Sequence, residues 1–401
     1  MTTNVTLNMP RATHAPQRVL MAPGPSNIHP RVLQALIEPL VGHKDPSFLG
    51  ALEDTAALLR EVFQTRSRAT FALPATGGSG MEAALVNVLE PGETVVVANA
   101  GFFAQRMVDI CSRLTKVNVV VVPGAWGAPV NRDVLVDAVR QHRPRAVAVV
   151  HGETSTGIEQ PLEGLAAACH AQDALLIVDA VATLGGVRLP VDELEIDVCF
   201  SGSQKCLSAP PGLAPISVSE RAMHAIEHRH TPVASWYFDL GLHARLWDAE
   251  HAYHHTSPVL SIYALREALR IVLEEGLEAR FARHCLHAAA LSAGIEALGL
   301  SQFACAGFRM PSVVTIVAPP GISARAVRRD LLENLNVEIS VGLGEDPDNM
   351  WRVGIMGHSA QRANVMLVLA GLEQSLRGQG FTPAGSGTTA AAEVYESALR
   401  Q

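Results

Sequence analysis

The chain has 401 residues, of which 48% are hydrophobic and 17% are charged, and its formal net charge is −8. This length allows two domains around a substantial core. The mean hydropathy of +0.19 indicates a well-buried, oligomeric globular protein. Because the chain is acidic and has no basic block, nucleic acids and anionic membranes are excluded as expected partners.

The cellular location is predicted from the cysteines, from the lack of a membrane-spanning apolar run and from the lack of a secretion signal. Six cysteines are scattered without a CxxC pair, which is typical of reduced thiols in a cytoplasmic protein. No apolar run is long enough to cross a bilayer. The first 17 residues are polar and lack the apolar core of a secretion signal. We therefore expect a cytoplasmic protein with no membrane association.

The N-terminal part begins with a predicted arm, residues 1–17. A rigid Pro23–Gly24–Pro25 loop follows, and then a helix that Ser26 or Asn27 could cap. From about residue 71, strands and helices alternate. The predicted strands are FALPA, TVVVANA, KVNVVVV, AVAVVHG, ALLIVDAV and DVCFS. These are continuous apolar runs rather than alternating ones, which predicts an α/β fold with a mostly parallel sheet covered by helices on both faces.

The C-terminal part is predicted to form a second, smaller α/β domain. Its pattern includes the strands PSVVTIVAP, VEIS and WRVGIMG, separated by amphipathic helices and followed by a tail with a short helix. We therefore predict a large domain over residues 18–275 and a small domain with its tail over residues 276–401.

One lysine stands in an unusual setting. Lys205 lies in the stretch SGSQKCLSAPPG, just past the predicted strand DVCF, where α/β proteins place their chemistry. Its small neighbours allow a ligand to approach the backbone, and a partly desolvated lysine becomes a nucleophile for carbonyls. An arbitrary lysine in a turn is far more commonly an exposed surface residue.

A glycine-rich segment, Thr76–Gly80, is predicted to be a loop that joins a strand to a helix. Its backbone N–H groups and the helix N-terminus could bind a phosphate. The segment from Gly78 also fits the GxGxxA pattern of dinucleotide-binding proteins. That interpretation needs an acid at the end of the next strand, which instead reads Ala98-Asn99-Ala100. The pattern therefore disfavours a dehydrogenase.

A carboxylate, Asp179, ends the apolar strand in ALLIVDAVATLGG. A buried carboxylate needs a partner, and a helix cap or a core salt bridge would supply one. However, Asp179, Lys205 and the phosphate loop all fall at the carboxyl ends of predicted strands. An acid for a protonated ring nitrogen, a lysine for a Schiff base and a phosphate site together indicate pyridoxal phosphate.

With these motifs in place, the sequence resembles the class V aminotransferases of fold type I, in particular the branch of alanine–glyoxylate and serine–glyoxylate aminotransferases. The resemblance covers almost the whole chain. It rests on MAPGPSN, VFQTR, GMEAALVNVLEPG, HGETSTG with QPL, VDAVATLGG, SGSQKCLSAPPG, YHHTSPV followed by YALREAL, and WRVGIMG. It implies transfer of an amino group from alanine or serine to glyoxylate or pyruvate, with glyoxylate giving glycine.

The resemblance also implies roles for individual residues. Lys205 would hold the cofactor covalently and later move a proton, while Asp179 would pair with the pyridine nitrogen. Arg352, in WRVG, would receive the substrate carboxylate. The remaining cofactor contacts would come from Val181 beneath the ring, Phe103 stacked on it, Thr154 at the ring hydroxyl, and Thr76, Gly77, Gly78 and Gln204 at the phosphate.

Two residues are implied to act across a subunit boundary. Tyr253 and Thr256, in YHHT, would reach the phosphate of the neighbouring subunit, so the active unit would be a homodimer. The chain departs from the family at two places: a larger aromatic residue is common where Phe103 stands, and some relatives carry histidine at Gly78.

Several alternatives remain at this stage. His251, His254 and His255 have near-helical spacing, but without an HExxH pattern we expect interface residues and no metal. Related cysteine desulfurases commonly have histidine where this chain has Gln204. Ureidoglycine–glyoxylate aminotransferases share the fold and cofactor, but they tend to have glutamine at the position of His43. A catalytically inactive binding protein on the same fold is opposed by the intact lysine, aspartate and arginine.

Overall fold

The computed structural model describes residues 15–344 and 347–400, so most of the predicted arm lies outside the described residues. The strands are β1 (Val19–Leu20), β2 (Thr70–Leu73), β3 (Thr94–Asn99), β4 (Asn118–Pro123), β5 (Ala146–Val150), β6 (Gly152–Glu153), β7 (Ile158–Glu159), β8 (Leu175–Asp179), β9 (Val198–Phe200), β10 (Ala214–Val218), β11 (Val313–Val317), β12 (Val337–Glu338), β13 (Ser340–Val341) and β14 (Met350–Gly354).

The helices lie between the strands and after them. They are α1 (Pro30–Ala35), α2 (Pro46–Phe63), α3 (Gly77–Val88), α4 (Phe102–Cys111), α5 (Arg132–His142), α6 (Leu165–His170), α7 (Glu220–Glu227), α8 (Leu240–Trp247), α9 (Val259–Glu275), α10 (Leu277–Ala297), α11 (Ala324–Leu335), α12 (Arg362–Gly378) and α13 (Gly387–Ala398). None of these described helices combines the length and the apolar character that crossing a membrane requires.

The large sheet has seven strands in the order β2-β10-β9-β8-β5-β3-β4. All neighbouring pairs are parallel except the two that β10 makes with β9 and β2. The strands β5 and β8 are buried over their whole length, as their continuous apolar runs predict. The predicted α/β class is therefore confirmed, and the antiparallel strand β10 is an element that the sequence pattern did not reveal.

Two helix starts differ from the sequence-based prediction. The side chain of His29 caps α1, because Pro30 begins that helix, and the hydroxyl of Ser26 donates instead to the carbonyl of Lys205 at 2.7 Å. The segment from Gly77 to Gly80 is not a loop but the first turn of α3. The backbone N–H groups of this turn are consequently aligned at a helix N-terminus.

The described residues form two large hydrophobic cores and a small third cluster that includes Cys206 and Met356. The larger core surrounds the seven-stranded sheet and includes α2 and α9. The smaller core lies between α10, α11, α12 and the three-stranded sheet β11-β14-β13, and it includes Met21. Strand β1 joins this smaller unit by pairing with β12. The domain boundaries at residues 17/18 and 275/276 stay predictions.

An ion-pair cluster connects the two units where α9 ends and α10 begins. Glu275 contacts Arg280 at 2.6 Å and Arg283 at 2.5 Å. The buried guanidinium of Arg280 donates to the carbonyl of Cys206 at 2.5 Å, and Arg283 donates to the carbonyl of Ala360 at 2.6 Å. The carboxylate of Glu275 therefore holds two arginines. Arg280 binds the backbone beside Lys205, and Arg283 binds the backbone of the smaller unit.

We predict that Glu275→Gln destabilises the protein by about 2 kcal/mol, because it leaves the charge of Arg280 buried and uncompensated. Burial opposes ionisation of Glu275, but the hydrogen bonds and charges of its two arginines outweigh burial and lower its pKa to about 2. The stabilisation should be complete above the ordinary pKa of a glutamate and should fade as the pH falls towards 2. Thermal melting at several pH values measures it.

Glu274→Gln is the matched control, because Glu274 is a neighbouring residue whose pair with Arg31 is solvent-exposed. Exposed ion pairs contribute little to stability. A control that lowers the melting temperature as much as Glu275→Gln would contradict the assigned role of the cluster.

Candidate active site

The ends of five sheet strands, β2, β3, β5, β8 and β9, meet at a cavity of about 210 Å³. Because parallel strands present their carboxyl ends at one edge, residues far apart in sequence converge there. Nine of the predicted site residues line it: Thr76, Gly77, Gly78, Phe103, Thr154, Asp179, Val181, Gln204 and Lys205. The structure therefore brings together the predicted cofactor contacts that one chain can supply.

Asp179 is a carboxylate at the last position of β8, and only 4% of its surface is exposed. It accepts a hydrogen bond from the backbone N–H of Val181 at 2.8 Å. Burial raises its pKa to about 7, because the charges of Lys205 and Arg106 do not compensate for the lost solvation. The carboxylate is thus poised to accept a cationic partner from within the cavity.

Lys205 lies in the turn after β9, with its ammonium group against the loop that precedes α1. Its Nζ donates to the carbonyl oxygen of Pro23. Desolvation, followed by the positive charge of Arg352, lowers the pKa of Lys205 to about 8. A side chain at Gly24 would place its Cβ 2.6 Å from Nζ, and the φ of this residue is +105°, so the site requires glycine there.

The N-terminus of α3 forms one wall of the cavity. Thr76 is its N-cap residue, yet the threonine side chain makes no capping hydrogen bond. A Cβ on Gly77 would lie 2.8 Å from Cγ2 of Val181, so the backbone approaches this wall closely. The side-chain oxygen of Gln204 is buried without a partner among the described residues. The hydroxyl of Thr76 lies 3.3 Å from that of Ser79, and the helix N-terminus beside it is a natural site for a phosphate.

Arg106 is a cavity residue that the sequence analysis did not identify. Its guanidinium carbon lies 5.3 Å from the ring centroid of Phe102 and 5.0 Å from that of Phe103. It follows Phe103 by three positions on α4 and therefore shares a helix face with it. The sequence signal for Arg106 as a cavity residue was this spacing from Phe103, in a helix that begins just after a strand. The arginine adds a positive charge to a cavity suited to an anion.

Glu153 is the second residue that sequence reasoning did not identify as part of the site. Its buried carboxylate accepts the backbone N–H of Phe103 at 2.9 Å and of Ala104 at 3.2 Å, and it also accepts from Ser155. Burial raises its pKa, while these hydrogen bonds oppose the shift. A glutamate in HGETSTG directly after a strand was the available signal. Glu153 positions Phe103 by holding the start of α4 against β6.

Arg352 reaches the site from the smaller unit. It lies on β14, and its Nε donates to the carbonyl of Val341 at 2.9 Å, while Nη1 donates to the carbonyl of Thr154 at 3.3 Å. Across residues 15–344 and 347–400, no carboxylate forms an ion pair with it. Desolvation lowers its pKa to about 10. The arginine does not line the cavity itself, but it contacts Thr154, which does.

Tyr253 and Thr256 are not brought to this cavity within one chain. Both side chains are exposed, and 63% of Tyr253 is accessible. The ring of Tyr253 lies 5.6 Å from that of His43 and 6.0 Å from the Nζ of Lys44. Neither residue is among those that line the cavity.

The histidines of the same segment are grouped differently from their sequence spacing. His254 and His255 lie beside His243 of α8, not beside His251. His251 instead approaches Glu53, with 3.3 Å between Nε2 and the carboxylate. Helical spacing was misleading because residues 251–256 do not form a helix.

The residues of the cavity fit pyridoxal phosphate. The N–H groups at the start of α3 and the hydroxyl of Thr76 match a phosphate, and the poorly compensated Asp179 matches a protonated ring nitrogen. Lys205, with its lowered pKa, matches an aldehyde. Val181 and Phe103 supply apolar contact surfaces for a flat ring.

Comparisons with known proteins agree with this chemistry. The family model "Aminotransferase class-V" matches residues 19–348. The chain is 41% identical to (S)-ureidoglycine–glyoxylate transaminase of Bacillus subtilis, covering 96% of this chain and 97% of that protein. It is 38% identical to alanine–glyoxylate aminotransferase of Callithrix jacchus, covering 90% and 88%. The crystal structure of ureidoglycine–glyoxylate aminotransferase from Bacillus subtilis superposes with a TM-score of 0.94 at 42% identity, covering 96% of this chain and 100% of that one. The chain belongs to the class V aminotransferases and is a pyridoxal-phosphate-dependent transaminase of fold type I.

Proposed function

We propose that this transaminase transfers the amino group of a small amino acid, alanine or serine, to glyoxylate or pyruvate, and that glyoxylate yields glycine. The observation that supports this proposal most directly is the position of Arg352. It is a buried cation that forms no ion pair with a described carboxylate, and it contacts the cavity residue Thr154. Every amino donor and every 2-oxo acceptor of such an enzyme presents an α-carboxylate. One arginine can therefore bind both substrates.

The proposed roles of the protein groups follow from their environments. Bound pyridoxal phosphate supplies the aldehyde that takes up the amino group and the ring that draws electrons from the Cα–H bond. Lys205 would hold the cofactor covalently, and the Nζ of its free side chain would take up the Cα proton of the substrate. Burial favours the neutral amine that this step needs. Asp179 keeps a positive charge on the ring nitrogen.

The remaining cavity residues would bind and orient. Thr76, Gly77, Gly78 and Gln204 bind the phosphate, and Arg106 adds a positive charge close by. Val181 and Phe103 hold the two faces of the ring, while Thr154 donates to its hydroxyl oxygen.

A second candidate is (S)-ureidoglycine as the amino donor, which is supported by the 41% identity to the Bacillus subtilis transaminase. The residue His43 opposes this candidate, because ureidoglycine–glyoxylate aminotransferases tend to carry glutamine at its position. The ring of His43 lies beside Tyr253.

Spectra of the cofactor during single half-reactions distinguish the candidates. We expect alanine or serine to convert the bound cofactor to its amine form fastest, and glyoxylate to restore the aldehyde form. Faster conversion by ureidoglycine would favour the second candidate, and no conversion by any donor would favour an inactive binding protein.

The assignment of Lys205 is tested by chemical trapping. The purified protein should be yellow, and borohydride reduction should fix the cofactor covalently on the peptide that contains Lys205. Lys205→Ala should bind the cofactor only non-covalently and should lose transamination. An adduct mapped to another lysine, Lys44 or Lys116, would refute the assignment.

Arg352→Lys is expected to weaken the use of both amino acids and glyoxylate by about 2–4 kcal/mol in kcat/KM, because an ammonium group cannot bind a carboxylate with two parallel hydrogen bonds. Cofactor absorbance should persist, since the phosphate is held elsewhere. Both half-reactions and the melting temperature are measured on one preparation. Normal turnover by a less stable protein would reduce Arg352 to a structural role.

We further propose that the active unit is a homodimer in which Tyr253 and Thr256 reach the phosphate of the neighbouring subunit. Their exposure, together with that of Trp236 at 65%, supports this arrangement. Exposed apolar side chains on α1 and just after it, among them Ile37 and Leu40 at 73% each, add to the surface available for burial.

Mixing Lys205→Ala protein with a Tyr253→Ala/Thr256→Ala double variant tests this sharing. Each variant alone is expected to be inactive, whereas a hybrid dimer contains one site with neither change. Partial activity should therefore return after subunit exchange. If exchange is verified by mass and activity stays absent, the site is built within one chain.

We also propose a cytoplasmic location. All six cysteines are free thiols, and four of them are buried, which fits a reducing compartment. Immunodetection after cell fractionation checks the location, and recovery in a secreted or membrane fraction would contradict it.

A further inference from the structure

Three histidines form a compact group outside the cofactor cavity. His243 lies in the middle of α8, and His254 and His255 come from the segment between α8 and α9. One ring nitrogen from each residue lies within 4.8 Å of the other two, and among the described residues this group contains histidines alone. The ring centroids are separated by 4.5, 5.3 and 5.1 Å.

The backbone contact of His243 determines which of its two ring nitrogens carries the hydrogen. The Nε2 atom lies 2.8 Å from the carbonyl oxygen of Tyr237, and a carbonyl can only accept. Nε2 therefore carries the hydrogen, and Nδ1 of the neutral ring holds a lone pair. This Nδ1 is buried and has no hydrogen-bond partner among the described residues. A buried acceptor without a partner is costly unless a ligand satisfies it.

His254 has a similar arrangement. Its Nε2 lies 3.5 Å from the carbonyl oxygen of Trp236, so that nitrogen carries the hydrogen and Nδ1 holds a lone pair. The Nδ1 atoms of His254 and His255 are 2.8 Å apart, which requires His255 to donate its Nδ1 hydrogen to His254. If His255 moves this hydrogen to Nε2, each of the three rings has an unprotonated Nδ1 that can act as a ligand atom. That change is a tautomeric shift and releases no net proton.

The surroundings hold these imidazoles in place. The indole of Trp236 stacks on His254 with 4.5 Å between ring centroids and an interplanar angle of 16°. Backbone carbonyls orient two of the rings, as second-shell partners do in histidine metal sites.

We propose that His243, His254 and His255 bind one divalent transition-metal ion of the Zn²⁺ and Co²⁺ class. Neutral imidazoles select these metals over Mg²⁺ and Ca²⁺, which prefer oxygen. Three protein ligands leave one position of a tetrahedral ion open to water. In the sequence, near-helical spacing grouped His251 with the other two, and the missing HExxH pattern argued against a metal. The fold instead places His243 beside His254 and His255.

The ion has a structural consequence for the proposed dimer. His254 and His255 stand between Tyr253 and Thr256, whose side chains are exposed. Binding to His243 would attach this segment to α8 and thereby orient the residues proposed to reach the neighbouring subunit. The metal site does not depend on that proposal, because its ligands all come from one chain.

Calorimetric titration of chelator-treated holoenzyme with Zn²⁺ alone tests the site, and the ligand-field absorption of bound Co²⁺ gives a second readout. We expect one ion per chain. His243→Leu should weaken binding at least about ten-fold and should remove the Co²⁺ absorption. Melting temperature and cofactor absorbance without metal establish that the variant is folded.

His224→Ala is the matched control, because His224 and His228 form an exposed pair on α7 with ring centroids 4.0 Å apart. It should retain the wild-type affinity. If His243→Leu does not fold, His255→Gln, at a half-buried position, replaces it with the same expectation. Equal affinity of the wild type and the folded ligand variants, or a loss of binding in His224→Ala, would overturn the proposal.

Discussion

Burial of Asp179 is the constraint on which the active site depends. A carboxylate at the end of β8, surrounded by buried strands, loses its solvation, and its pKa rises to about 7. Lys205 experiences the opposite shift, to about 8, in the same cavity. The shared environment therefore disfavours the charged forms of both groups, and a ligand with a cationic nitrogen and an aldehyde carbon matches both. The burial that disfavours charge on Asp179 and Lys205 therefore suits the ring nitrogen and the aldehyde of the cofactor.

The turn that carries Lys205 is held from two sides. The loop before α1 contributes the carbonyl of Pro23 to its Nζ and the hydroxyl of Ser26 to its backbone. The buried Arg280 holds the next residue, Cys206, from the other side, and Glu275 compensates that arginine. Such support confines a long, flexible side chain to the orientation that its proposed nucleophilic role needs.

The two cores meet at the site through specific polar contacts. Arg352 extends from β14 to the carbonyl of Thr154, and Thr315 of β11 donates to the carbonyl of Thr156 at 2.8 Å. The strand β1 precedes the large unit in sequence but packs with the small one. A substrate carboxylate bound by Arg352 would therefore lie where both units contribute backbone, and their relative placement would influence substrate binding.

Sequence alone determined the elements whose signal is local. The apolar runs predicted a parallel sheet, and their carboxyl ends located Thr76, Asp179 and Lys205, because strand ends of a parallel sheet share one edge. Tertiary structure alone decided contacts between distant segments: the insertion of β10, the carboxylate of Glu153 at the start of α4, Arg106 in the cavity, and the grouping of His243 with His254 and His255. These depend on packing between elements, and no periodicity within a single segment encodes them.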